Sequence, residues 1–133
     1  MSKKKKTAVV VGEIVKWNKL NQLAGLKILG IDERNSVILL SNNIALTIEE
    51  EGSYSDYWTT SFSYRKVNFG QKIDKVYTHE NDNTITITFA NESNIPILIV
   101  KHCFHNQSDW DYGCYIRYYW KNKGKEQTET FYI

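Results

Sequence analysis

Three groups of residues in this 133-residue chain have side chains able to do chemistry. The first is Lys101-His102-Cys103-Phe104-His105. Imidazole and thiolate are zinc ligands, and His79 or Cys114 would complete a four-ligand set of nitrogen and sulfur. The spacing contains no C-x-x-C and no H-x-x-x-H pair. A polar loop beside a buried thiol accounts for the same residues, so no metal is assigned. A nucleophilic Cys103 or Cys114 would need a base and an electropositive surround, and Cys114 falls on the apolar side of its segment.

The second group is Asp109 and Asp111. Two residues apart on a strand, their carboxylates share a face about 7 Å apart. Paired carboxylates of this kind work on glycosidic bonds. Nothing else in the chain joins them, and acidic residues at a strand entrance are ordinarily solvated. The third group is Tyr115, Arg117 and Tyr119. Two rings flanking a guanidinium can stack a base, clamp a phosphate or anchor a protein partner. Tyr57 and Arg65 offer an analogous face in an earlier segment. Cross-strand aromatic pairs that only stabilise a sheet are the alternative for the same residues. A P-loop, a G-x-S-x-G elbow and H-E-x-x-H are missing. The chain therefore reads as a binding protein and not an enzyme, with binding residues Tyr57, Arg65, Tyr115, Arg117 and Tyr119 and no cofactor.

Strands must position these groups. Asp109–Lys121 alternates, with Trp110, Tyr112, Cys114, Ile116, Tyr118 and Trp120 on one face and the Tyr115–Arg117–Tyr119 row on the other. The first face is assigned to the core. Thr84–Phe89 (TITITF) alternates strictly, and Tyr54–Arg65 repeats the aromatic pattern. Thr7–Lys16 reads as a first strand with Gly12 as a bulge. Trp17–Ala24 reads as the single helical turn, closed by Gly25. Further strands fall at Leu26–Ile31, Val37–Leu40, Ile44–Ile48, Ile73–Thr78, Ile95–Val100 and Glu126–Ile133. Ser41-Asn42-Asn43 is a hairpin turn, because Asn tolerates the left-handed backbone. Glu49–Gly52 reads as a charged loop and Lys101–Ser108 as a polar connection.

Residues 25–66 and 70–121 form two similar series. Each starts G-x-K-I, at Gly25 and at Gly70 45 residues later. Each continues through two strands and a polar or acidic loop to Ser-Asp before an aromatic strand, at Ser55 and Ser108. Five shared features in one order point to an internal repeat. The expected fold is all-β: a sandwich or barrel of about nine to ten antiparallel strands from two similar meander units, with at most one short helix. Residues 7–133 form one domain behind a basic tail, residues 1–6, expected to be disordered.

The net charge of +2 comes from that tail. Without Lys3, Lys4, Lys5 and Lys6 the chain holds 13 basic and 15 acidic residues, so its body is not a nucleic-acid binder by charge. No apolar run approaches the ~18 residues of a membrane span, and Thr7–Val11 is too short for a signal peptide. Two cysteines make no disulfide framework, which fits a cytoplasmic location.

The order of G-x-K-I, paired strands, acidic loop and aromatic strand resembles a family of small uncharacterised domains encoded by bacteriophages and prophages. The resemblance covers about Leu23–Tyr119. In that family the segment after the acidic loop is Cys-rich; here Ser53-Tyr54-Ser55-Asp56-Tyr57-Trp58 holds no cysteine. The resemblance implies a phage or mobile-element origin. In that setting the expected function is docking on a host or defence protein to inhibit it. Capture of a small nucleotide or single strand is the second expectation, and an immunity or virion accessory role, with a homo-oligomer, the third.

Overall fold

The structure, a computed structural model, describes residues 18–53, 55–107 and 114–132 with their side chains and residues 9–10 and 13–14 as backbone. Two short strands, β1 (Val9–Val10) and β2 (Glu13–Ile14), pair with each other. A first meander follows: β3 (Ile28–Asp32), β4 (Val37–Leu40) and β5 (Ile44–Glu51). The next strand, β6 (Tyr57–Tyr64), leaves for the other sheet. A second meander consists of β7 (Lys75–Asn81), β8 (Thr84–Ala90) and β9 (Pro96–His105). Its successor β10 (Tyr115–Asn122) crosses back, and β11 (Lys125–Tyr132) returns beside it. The sheet orders are β11-β10-β5-β4-β3 and β6-β9-β8-β7, all antiparallel. The fold is an open sandwich and not a closed barrel.

Each segment thus donates its fourth strand to the sheet of the other. β6 pairs with β9, and β10 pairs with β5. The two G-x-K-I starts meet at the centre of this exchange, where Lys27 and Lys72 form an antiparallel bridge. Gly25 N–H donates to the Ile73 carbonyl and Gly70 N–H to the Ile28 carbonyl, both at 2.8 Å. Ile73 N–H donates to Leu26 O, and Ile28 N–H to Gln71 O. These bonds are reciprocal, as an approximate two-fold axis requires. Both glycines lie in the left-handed region, at φ 93° and 97°. Each follows a single 3-10 turn, Lys19–Leu23 or Lys66–Asn68. A Cβ at either glycine meets no atom within 4 Å, so the cost of a side chain is backbone strain alone. Gly25→Ala and Gly70→Ala are each expected to cost about 1–2 kcal/mol in urea denaturation. Equal stability to wild type in both would contradict the strained geometry.

Alternation builds the core. In β8, Ile85, Ile87 and Phe89 are buried while Thr84, Thr86 and Thr88 are half-buried. In β10, Ile116, Tyr118 and Trp120 face inward with Cys114 before them. Ile38 and Leu46 from one sheet and Ile87 and Val100 from the other are fully buried. Side chains of that size contribute roughly 1.5–3 kcal/mol each on leaving water.

Four readings of the sequence are corrected. Thr7–Lys16 is not one strand: Val10 pairs with Glu13, so the segment doubles back on itself. In the segment read as a helical turn, Trp17–Ala24, the described residues 18–24 form only the 3-10 turn Lys19–Leu23, with the Asn18 side chain accepting from Leu20 N–H at 2.8 Å. The apolar spacing there is real, since Leu20 and Leu23 are buried, but Gly25 ends the turn before a second can form. Glu49–Glu51 is strand and not loop, because β10 pairs along it and Arg117 faces Glu49. Lys101–His105 continues β9. Asp109, Trp110, Asp111, Tyr112, Lys3–Lys6 and Gly12 lie outside the described residues.

Candidate binding face

β10 lies between β5 and β11, which fixes the surroundings of its outward row. Tyr115 is opposite Glu51 and Tyr132, Arg117 opposite Glu49 and Thr130, and Tyr119 opposite Thr47 and Thr128. Arg117 Nη1 donates to Glu49 Oε1 at 3.2 Å and its Nε to Thr130 Oγ1 at 3.4 Å. The guanidinium lies 4.6 Å from the Tyr115 ring centroid. At 36% and 45% exposure this ion pair is solvent-screened, so it orients Arg117 more than it stabilises the fold. Beside it is a shallow depression of about 210 Å³ lined by Glu49, Arg117, Tyr119, Glu126 and Thr128. Exposed apolar residues extend the face: Tyr132 at one end, and Leu29 and Leu39 toward the β3 edge. The arrangement offers rings, one held guanidinium and an acidic surround.

Of the residues assigned to binding, Tyr115, Arg117 and Tyr119 come together here. Tyr57 and Arg65 do not join them. Tyr57 is on the outer side of the other sheet, its ring stacked on His105 with centroids 4.5 Å apart. Arg65 is exposed beyond the far end of β6, at the start of the second 3-10 turn.

The cluster of metal-type ligands is divided by strand alternation. His102 points inward, fully buried, while Cys103 and His105 point outward from the same strand. His105 Nε2 lies 3.0 Å from Thr59 Oγ1. Cys114 is buried with its sulfur 3.5 Å from Ser53 Oγ. Among the described residues no three His, Cys, Asp or Glu side chains converge on a metal position.

His102 belongs instead to a chain of hydrogen bonds that crosses the sandwich. Its Nε2 lies 2.7 Å from the Tyr118 hydroxyl and its Nδ1 2.7 Å from Thr60 Oγ1. Thr60 donates its only hydroxyl proton to Glu50 Oε2. Thr60 therefore accepts from His102, so the proton sits on Nδ1 and Nε2 accepts from Tyr118. A neutral imidazole satisfies every bond in the chain. Burial holds the His102 pKa down at about 3, well below its ordinary 6.5. Burial, and then the Glu50 charge, hold the Tyr118 hydroxyl well above its ordinary range. Tyr118 and His102 have no exposed surface, so their bond ties the two sheets together inside the core. Sequence reasoning missed it. The available signal was His102 sharing the inward parity of Leu98, Val100 and Phe104.

A larger depression, of about 530 Å³, lies beside the G-x-K-I bridge and is lined by Gly25, Gln71, Lys72, Asp74, Asn91 and Glu92 among others. Two of its polar side chains bond to each other: Asn91 Nδ2 donates to Gln71 Oε1 at 2.7 Å. No helix among the described residues is long and apolar enough to cross a membrane. No family model, curated protein or solved structure matches the chain.

Proposed function

We propose that this chain is a non-enzymatic binding protein of a phage or mobile element, acting in the cytoplasm, that docks on a host or defence protein and blocks it by covering its surface. The observation that carries this reading is the outward-facing, half-buried Tyr115–Arg117–Tyr119 row on the five-stranded sheet, with the exposed Tyr132, Leu29 and Leu39 on the same face. Tyr and Arg are enriched among the residues that dominate interface energetics; Tyr offers large contact area at low entropic cost, and Arg117 is already oriented by Glu49 and Thr130. Glu49, Glu51 and Glu126 around the row favour a partner with basic residues at the contact rim.

The same carboxylates count against capture of a nucleotide. Glu49 and Glu126 line the depression beside Arg117, and Glu49 already holds the guanidinium. A phosphate entering there would meet two negative charges and would have to displace one of them.

The test is affinity capture from host lysate on immobilised protein, followed by titration of the captured partner. Wild type is expected to retain a discrete partner. Arg117→Ala with Tyr119→Ala is expected to lose about 2 kcal/mol or more of binding, roughly 30-fold in Kd. Tyr57→Ala, on the opposite outer surface, is expected to bind as wild type. Equal binding by the double variant removes this face from the function. A nucleotide-induced rise in melting temperature that Arg117→Ala abolishes would replace docking with capture.

A further inference from the structure

The two sheets have four edge strands, and three of them carry a blocking bond or charges. At β3, the Ile28 N–H and carbonyl are taken by Gln71 and Gly70. At β7, the Asn21 side chain bonds both backbone groups of Val76, at 2.9 and 3.0 Å. β11 carries Lys125, Glu126 and Glu129, and Glu129 accepts from Lys19 N–H at 2.6 Å. Charges and side-chain plugs of this kind keep an edge from pairing with other chains.

β6 has none of them. Its eight residues, YWTTSFSY, contain no charge and no proline. Its register with β9 runs unbroken from Tyr57↔His105 to Tyr64↔Leu98, with no bulge. Among the described residues nothing pairs with its other edge. Alternate residues of β6 therefore direct N–H and C=O groups away from the sheet. Its counterpart across the approximate two-fold is β10, whose corresponding side is filled by β11 over eight antiparallel pairs.

We propose that β6 pairs antiparallel with β6 of a second copy, joining two four-stranded sheets into one of eight strands. A two-fold axis normal to the sheet, lying between the two strands, keeps inner residues against inner ones only if it sets one residue opposite its own copy, and the register is named by that residue. The Thr60 register sets Trp58 against Phe62 on the inner face and Thr59 against Ser61 on the outer. The Ser61 register sets Trp58 against Tyr64 and Ser61 against itself. Either register brings apolar and hydroxyl side chains together with no like charges opposed, so the strand is complementary to itself. A basic or acidic partner strand would find no charge to pair with.

Light scattering on the purified chain is expected to give twice the 15.6 kDa chain mass. Thr59→Lys with Ser61→Lys places lysines opposite lysines in both registers, on exposed positions, and is expected to give the monomer with an unchanged circular dichroism spectrum. A wild-type monomer at every concentration, or a dimer unaffected by the lysines, overturns the proposal. Should the variant not fold, hydrogen exchange on the wild type decides. Outward β6 amides are expected to be protected at high protein concentration and to exchange fast on dilution. Fast exchange at all concentrations overturns it.

Discussion

Between pH 6.5 and about pH 3 the protein is expected to lose stability at up to about 1.4 kcal/mol per pH unit through His102 alone. The sign follows from where the proton goes. The unfolded chain binds a proton on His102 below its ordinary pKa of 6.5, while the folded chain resists until about 3. Inside that window the unfolded state holds more protons, so acid favours it; above pH 6.5 the contribution is flat. Across the window the loss is roughly 4–5 kcal/mol, comparable to the whole stability of many domains. Protonation would also spoil the chain of bonds: an imidazolium has two N–H groups and cannot accept from Tyr118. Urea midpoints from pH 8 to pH 4 measure the effect. His102→Gln can donate and accept but does not titrate there, so its profile is expected to be much flatter than wild type's. The Asp32 carboxyl, held low by hydrogen bonds from Asn35, contributes acid sensitivity common to both proteins. Parallel profiles for the two would mean that His102 is not the group being protonated.

Gly52→Ala is expected to cost about 2–3 kcal/mol, more than either left-handed glycine. Gly52 stands where the chain leaves β5 to cross to β6. A Cβ there would lie 3.0 Å from the Asp56 carbonyl carbon and closer still to its oxygen. The obstacle is backbone, and that backbone is tied down. Asp56 N–H donates to Ser53 O at 3.0 Å, Gln107 N–H donates to the Asp56 carboxylate at 2.7 Å, and the Trp58 indole donates to Glu51 O at 2.9 Å. Admitting a methyl group means loosening one of these and shifting the entry to β6. Denaturation midpoints with unchanged m-value measure the loss. A change below about 0.5 kcal/mol would show that the crossover yields without cost.

The strands with one wet and one dry face were readable from the sequence, because burial writes period two directly into residue choice. Thr84–Phe89 shows this, as does the split of Ile116, Tyr118 and Trp120 from Tyr115, Arg117 and Tyr119. The reading failed where a polar residue sits in a strand because a distant residue supports it. His102 is tolerable inside only through Thr60 and Tyr118, 42 and 16 residues away. Glu49 stays in its strand opposite Arg117, 68 residues away. The outward row was legible as a row, but its acidic surround was not, since that depends on β5 and β11 flanking β10. Strand exchange between the units was hidden for the same reason: local pattern says that a strand exists and does not say which strand it will pair with.

The exchange of fourth strands governs how the molecule can be assembled. β6 finds its neighbour only when β9 exists, and the β5 edge stays open until β10 arrives, 64 residues after Glu51 at the Tyr115 pair. A chain interrupted between the two units would leave a pair of fragments, each with a bare strand whose complement is carried by the other. Neither half is a smaller version of the whole. The two are parts of a mutual clasp, and such non-local pairing makes folding slow and close to all-or-none. Substitutions on the outward faces of β10 and β11 leave this clasp intact, whereas shortening, reordering or separating the units would open it.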